Sequence, residues 1–243
     1  MQFVVHPLRS YFPKSVSYSR FVTLMERQNG ALALFLQACR LAEPTQHNYI
    51  DSKPLVVCHN KRIKSHKVFD GIAKRGKSST AWFFGFKLNA VVNQFGQLVV
   101  FQFTPGNVTD NNKDLLEGLT AHLKGFLYGD KGYLTGLKSK FKERGLNLIT
   151  KVRKNMKKQY LTPEQKYYLK HRGIVESVFD LAKHLCQIEH SRHRKEENFI
   201  TNALSALLAY TFLDKTPSFP QYEDKNKKLT KSMELEYSEI VLI

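Results

Sequence analysis

Ala81-Trp-Phe-Phe-Gly-Phe-Lys-Leu-Asn-Ala-Val-Val-Asn93 runs through Gln94-Phe-Gly96 into Gln97-Leu-Val-Val-Phe-Gln-Phe103. The first segment is aromatic and β-branched and has no helix cap, so it reads as a strand. Asn93–Gly96 has turn chemistry, and 97–103 is the returning strand of a hairpin that ends at Thr104-Pro-Gly-Asn107. Working outward, Tyr49-Ile-Asp51 and Leu55-Val-Val57 flank Pro54, which predicts a strand that is interrupted or ends near an edge. After the hairpin, Thr109 or Asp110 can cap a helix to about Leu123, with Leu115, Leu116, Leu119 and Leu123 on one side. Phe126-Leu-Tyr128 is a short buried strand ending at Gly129-Asp130. Residues 134–144 read as helix stopping at Gly145, 146–152 as strand, and 12–40, 172–189 and 198–213 as helical. Three antiparallel strands followed by helix, strand, helix, strand, helix imply an α/β fold, a mixed sheet with helices on its faces.

The chain has 243 residues, with 38 Lys and Arg against 21 Asp and Glu, a formal net charge of +17. Hydrophobic residues at 42% and aromatics at 12% supply a packed core and exclude wholesale disorder. The length suits one large domain with appendages. Cys39, Cys58 and Cys186 are too few and too far apart for a disulfide scaffold, so a reducing compartment is expected. No apolar run is long enough to cross a bilayer, and Met1–Pro7 lacks the pattern of a secretory signal.

A pI near 9.7 points to a polyanionic partner. The excess is concentrated in two stretches. One holds Lys61, Arg62, Lys64, Lys67, Lys74, Arg75 and Lys77; the other holds Lys151, Arg153 and Lys154. A charge run alone is commonly a solvated surface. Here Gly, Ser and Asn lie between the charges, and such segments bring backbone N–H groups close to phosphates, so the expected partner is nucleic acid.

Few acids sit where chemistry can use them. Asp51 follows Tyr-Ile of the first strand, Asp130 ends the short strand, and Glu176 lies in a helix with Arg172 four residues before it and Lys183 seven after. Two strand-end carboxylates and a helical one crossing above them suit Mg²⁺, which takes carboxylate, water and phosphate oxygens. Two such ions activate a water or 3′-hydroxyl and stabilise the leaving oxygen of an in-line attack on phosphate. Taken singly, a strand-end Asp is a common turn-former and a helical Glu a common surface residue. A zinc set from Cys58, His59, His184, Cys186, His190 and His193 lacks the paired spacing such sites use, and Cys186 reads as a core residue.

Several words in order resemble the DDE transposases of bacterial insertion sequences, most closely the insertion-sequence 982 family. They are Asp51-Ser-Lys-Pro-Leu-Val-Val-Cys-His-Asn-Lys-Arg-Ile63, Lys74-Arg-Gly-Lys77 with Trp82-Phe-Phe-Gly-Phe-Lys87, and Thr104-Pro-Gly-Asn-Val108. Gly129-Asp-Lys-Gly-Tyr133, Leu148-Ile-Thr-Lys-Val-Arg-Lys-Asn155 and Cys186-Gln-Ile-Glu-His-Ser-Arg-His193 continue the match, which spans roughly 8–219. The resemblance implies an RNase H-like fold in which Asp51, Asp130 and Glu176 are catalytic and bind Mg²⁺, with Mn²⁺ as a substitute. It implies cleavage at transposon ends and transfer of the 3′ ends into target DNA. It also implies terminal inverted repeats and target DNA as partners, a homodimer on DNA, and a bacterial, cytoplasmic, nucleoid-associated protein. Arg172, Glu176 and Lys183 fit the wider group's signature, with Leu169 where that signature has tyrosine and Tyr168 one place off.

Three departures accompany the match. Lys53 stands where a small hydroxyl residue is expected, the usual upstream helical DNA-binding segment is expected to be cut short, and residues beyond Phe219 match nothing in the family. The expected organisation is a helical N-terminal remnant over 1–45, a catalytic domain over 46–214 and a loose tail over 215–243. A hydrolytic nuclease on the same fold and a catalytically inactive DNA-binding relic are the competing readings.

Overall fold

The computed structural model describes residues 10–11, 13–78, 81–151, 159–189 and 193–223. The hairpin forms as β3 (Trp82–Asn93) and β4 (Leu98–Pro105). Asn93 closes its turn, its Oδ1 accepting the backbone N–H groups of Phe95 and Gln97 at 3.0 and 3.1 Å. On its other side β3 pairs antiparallel with β1 (His47–Cys58), with Asp51 opposite Ala90. β1 then pairs parallel with β5 (Gly125–Gly129), and β5 parallel with β6 (Leu146–Thr150). A short β2 (Lys74–Lys77) pairs with the first four residues of β3. Read across, the order is β4–β3–β1–β5–β6 with β2 also on β3, a mixed sheet of the RNase H-like kind.

Pro54 does not interrupt β1. Among the described residues β5 pairs only with His47–Tyr49, so on that side β1 has no ladder at Pro54 for the missing N–H to break. The prediction of an interruption came from proline alone, whereas the one-sided pairing is set by a strand far along the chain.

Alternation then divides the core in two. Tyr49, Leu55 and Val57 of β1, Leu88, Ala90 and Val92 of β3, Tyr128 of β5 and Ile149 of β6 share one face. Ile50, Val91, Leu127 and Leu148 share the other. Seven α-helices lie among the described residues: α1 (Tyr18–Glu26), α2 (Asn29–Phe35), α3 (Lys113–Thr120), α4 (Lys138–Glu143), α5 (Pro163–Lys170), α6 (Ile174–His184) and α7 (Glu196–Tyr210). α6 and α7 cover the first face through Val175, Val178, Phe179, Phe199, Leu204 and Leu207. α3 and α4 cover the second through Leu115, Leu116, Leu119 and Phe141. Burying each large side chain contributes about 1.5–3 kcal/mol. α1 and α2 pack on α7, with Lys195 Nζ 3.1 Å from Glu26 Oε1.

Several helix boundaries differ from the sequence reading: the stretch read as helical over 12–40 starts only at Tyr18 and breaks after Glu26, and that over 198–213 runs Glu196–Tyr210. α3 is capped by Asn112, whose Oδ1 accepts the Leu115 N–H at 3.0 Å, which leaves Thr109 and Asp110 outside the helix. α4 starts only at Lys138, because Asp130 caps a separate 3₁₀ turn over Lys131–Tyr133 and Gly136 lowers the helical propensity between them. The helix predicted over 172–189 opens with a 3₁₀ turn at His171–Gly173 and ends at His184, before Gln187 takes a φ of 57°. Residues 215–223 run along the body, where Thr216 Oγ1 donates to Phe95 O at 2.8 Å and Phe219 stacks on His171 at 4.4 Å.

Gly85 sits where β1 and β3 shift register, with φ +154° and space for a Cβ only 2.1 Å from Leu55 O. A Gly85→Ala protein is expected to lose about 2 kcal/mol or more, because backbone of a central strand must move to admit the methyl group. Equilibrium urea unfolding measures this as a lower midpoint at unchanged slope.

Candidate functional site

β1 and β5 run parallel with Tyr49 beside Tyr128, so Asp51 and Asp130 occupy matching positions two residues further on. Asp130 follows the carboxyl end of β5, whereas Asp51, expected at a strand end, lies inside β1, still paired with Ala90 of β3 and just past the last residue that β5 flanks. Asp130 turns the chain by accepting the Gly132 N–H at 2.6 Å. Asp51 shares the face of β1 that carries Tyr49 and Leu55, beneath α6. Glu176 lies in the first turn of α6, and Arg172 one turn earlier reaches both acids. Its Nη1 stands 3.4 Å from Asp51 Oδ2 and its Nη2 2.7 Å from Glu176 Oε1. All four side chains line one cleft of about 700 Å³.

A fourth carboxylate, Asp110, lines the same cleft and was read from sequence only as a helix cap. Its Oδ1 accepts from Lys87 Nζ and from Ser52 Oγ, both at 2.9 Å. A Cβ on Gly132 would stand 2.9 Å from Asp130 Oδ1 and 3.3 Å from Asp110 Oδ2, so the two carboxylates close on one small region. Lys87 is only 7% exposed, and a buried ammonium requires a paired charge. The signal in the sequence was the single charged residue of the strand, a lysine between Phe86 and Leu88. Beneath this group lies the fully buried Tyr133 hydroxyl, close to the Ser52 side chain. Burial, then the charges of Asp51 and Asp110, push that phenol well above its ordinary range.

Burial is also the main reason the Asp51 carboxyl is pushed up to about 6. The Ser52 N–H, 2.8 Å from Oδ1, and the Arg172 guanidinium pull it down, while Asp130 and Glu176 push it up again. Oxygen-only carboxylate donors are the chemistry a hard divalent ion takes, and Arg172 already places a positive charge between two of them. The side chains have not closed around a metal position: among the described residues no three metal-type side chains stand together as a ligand set.

The basic residues separate by place. Lys77, Arg172 and Lys183 line the cleft, and Lys183 pairs there with Glu189, an acid the sequence reading did not single out. Lys61, Arg62 and Lys64 are exposed on the 3₁₀ turn Asn60–Ser65, beside the cleft-lining His59 and Asn60. Lys67, Lys74, Arg75 and Lys151 are exposed without lining the cleft. Arg153 and Lys154 lie outside the described residues. Lys53 also lines the cleft and reaches Asp180 Oδ1 at 3.5 Å. Of the cysteine and histidine group, Cys186 packs partly buried against the core of the first face, and His190 lies outside the described residues.

A carboxyl raised from 3.8 to about 6 costs the folded state about 3 kcal/mol when ionised. The folded value lies above the unfolded one, so the cost is complete above pH 6 and disappears as the pH falls toward 4. In metal-free buffer at pH 7, Asp51→Asn is expected to be more stable than the wild type by up to about that amount, with Arg172 still paired to Glu176. Urea unfolding across pH should show the two proteins converging between pH 6 and 4. A constant difference at every pH contradicts this account.

The family model described as Transposase DDE domain matches residues 41–196, a span that contains Asp51, Asp110, Asp130 and Glu176. No curated protein matches the chain. A mixed sheet that brings an aspartate of β1, an aspartate at the end of β5 and a helical glutamate into one cleft agrees with that match, and the match covers well over half of the chain. The chain belongs to the family of transposase DDE domains.

Proposed function

We propose that the protein is a DNA transposase of the insertion-sequence 982 type. The observation that carries this reading is the meeting of Asp51, Asp130 and Glu176 in one cleft whose walls bear Lys77, Arg172 and Lys183. In this reading those three acids hold two Mg²⁺ ions, for which Mn²⁺ can substitute. When bound, such ions neutralise phosphate charge and lower the pKa of the attacking hydroxyl or water.

The chain's own residues position the reactants. Lys77 and Lys183 hold DNA phosphates over the acids, while Arg172 keeps Asp51 and Glu176 in place before substrate enters. The Lys87–Asp110–Ser52 group fixes the stretch of β1 that carries Asp51. Water attacks a phosphorus at the transposon end in line with the departing 3′ oxygen, which leaves as a 3′ hydroxyl. That hydroxyl then attacks a target phosphodiester and displaces the target's own 3′ oxygen. The terminal inverted repeats and the target are therefore the two DNA partners. The protein works as a homodimer that brings two ends together, in the bacterial cytoplasm on nucleoid DNA.

A pre-cut oligonucleotide end, a target plasmid and Mg²⁺ test the reading. Wild type is expected to give joined products, and Asp130→Asn to lose about a hundredfold or more of that activity while still binding DNA. Nicking without joining favours the hydrolytic alternative. Equal inactivity of wild type and variant overturns the catalytic assignment and leaves a DNA-binding relic.

A further inference from the structure

Trp82 is the chain's single tryptophan, and 49% of it is exposed. The site is held rather than loose: Trp82 opens β3, faces Lys77 across the β2–β3 pair, and its carbonyl accepts from Asn60 Nδ2 at 2.8 Å. Arg75 Cζ lies 4.8 Å and Lys77 Nζ 5.6 Å from the ring centroid. Arg75 and Lys77 alternate along β2, so both project from the side of the sheet that carries the indole. Other exposed aromatics, such as Tyr18, Phe95, Tyr160 and Phe212, stand away from the acidic cleft, whereas Trp82 lines it.

Even with the two cations over the ring, the half-exposed indole keeps apolar area that a flat partner covers well. The same partner must also satisfy two cations. A nucleotide meets both demands, because its base presents a π-face to the indole and its phosphate meets the guanidinium and ammonium. A base inside a duplex has both faces stacked on its neighbours and cannot offer one. We propose that Trp82 is a stacking platform for an unpaired nucleobase of the DNA strand lying in the cleft, with Arg75 and Lys77 taking the adjoining phosphates. This deepens the transposase reading and rests on it: the DNA handled here is opened by at least one nucleotide near the point of cleavage.

Two DNAs of equal length separate the possibilities, one fully paired and one carrying a 2-aminopurine in an unpaired position, each titrated in the presence of EDTA. Wild type is expected to quench the 2-aminopurine and to bind the opened DNA about tenfold more tightly than the paired one. Trp82→Phe keeps a ring and should retain most of both effects. Trp82→Leu keeps apolar bulk without a ring and should lose the quenching and the preference, with affinity for paired DNA unchanged within about twofold. A Leu variant that binds both DNAs equally less well, or a wild type without preference, overturns the stacking site and leaves the DNA reading intact. A wild type that binds neither DNA overturns both.

Discussion

β1 is bonded to β3 from Asn48 to Cys58 but to β5 only from His47 to Tyr49, so β1 and β5 part just short of Asp51 and Asp130. Parallel strands that separate leave a crevice at their carboxyl ends, and here the crevice is the cleft. Had the ladder continued past Tyr49, Asp51 would have been flanked by strands on both sides rather than by β3 alone. The same divergence makes Pro54 harmless and leaves room for α6 to lay Arg172 and Glu176 over the opening. Most of the site therefore follows from where one short ladder stops.

The charge balance follows from that geometry. A protein of net charge +17 gathers four carboxylates into one partly dry place, Asp51, Asp110, Asp130 and Glu176. Two cations hold them apart in the free protein: Arg172 lies between Asp51 and Glu176, and Lys87 lies under Asp110. The two differ in kind. Arg172 shares its guanidinium with two acids at the cleft surface, where phosphate or metal competes for the same partners. Lys87 is sealed into the central strand and its ammonium has Asp110 at 2.9 Å, so it acts as a fixed part of the scaffold. The raised carboxyl at Asp51 is chiefly the cost of its burial, to which Asp130 and Glu176 add, and the two apolar cores on either face of the sheet offset it.

Much of this was legible in the residue pattern. The aromatic and β-branched composition of 81–103 around the turn at 93–96 is a local property, and it placed the hairpin on which the other strands are ordered. Asp51 and Asp130 were legible because each ends an apolar run, and Glu176 because Arg172 and Lys183 repeat on its helical face. Asp110 was not, because its local surroundings equally describe a helix cap. What decides between cap and site is Lys87, twenty-three residues away across the hairpin, with Ser52 further still. The basic stretch 59–77 read as one DNA-contacting unit, but only Lys77 of its named cations lines the cleft. Sequence gives the charge; the turn of β2 against β3 decides which charges face the acids.

The remaining element of precision comes from aromatic packing rather than from loops. His47 of β1 stacks on Tyr168 of α5 with centroids 3.5 Å apart, and its Nδ1 lies 3.0 Å from the Tyr128 hydroxyl of β5. Glu164 of α5 stands 3.4 Å from the other ring nitrogen, while burial holds the imidazole below its ordinary pKa. β1 and β5 carry the two aspartates, and α5 leads through a single 3₁₀ turn into the helix that carries Glu176. One buried ring cluster thus ties together the two strands that lead to the aspartates and the helix that leads to Glu176. Phe219 and Tyr222 pack on the same cluster, so the segment after α7 closes over the far side of the construction that positions the acids. An interlocked aromatic core resists displacement in a way that exposed loops do not. The aspartates and the glutamate are held from beneath, which leaves the cleft above them free for the backbone of a nucleic acid.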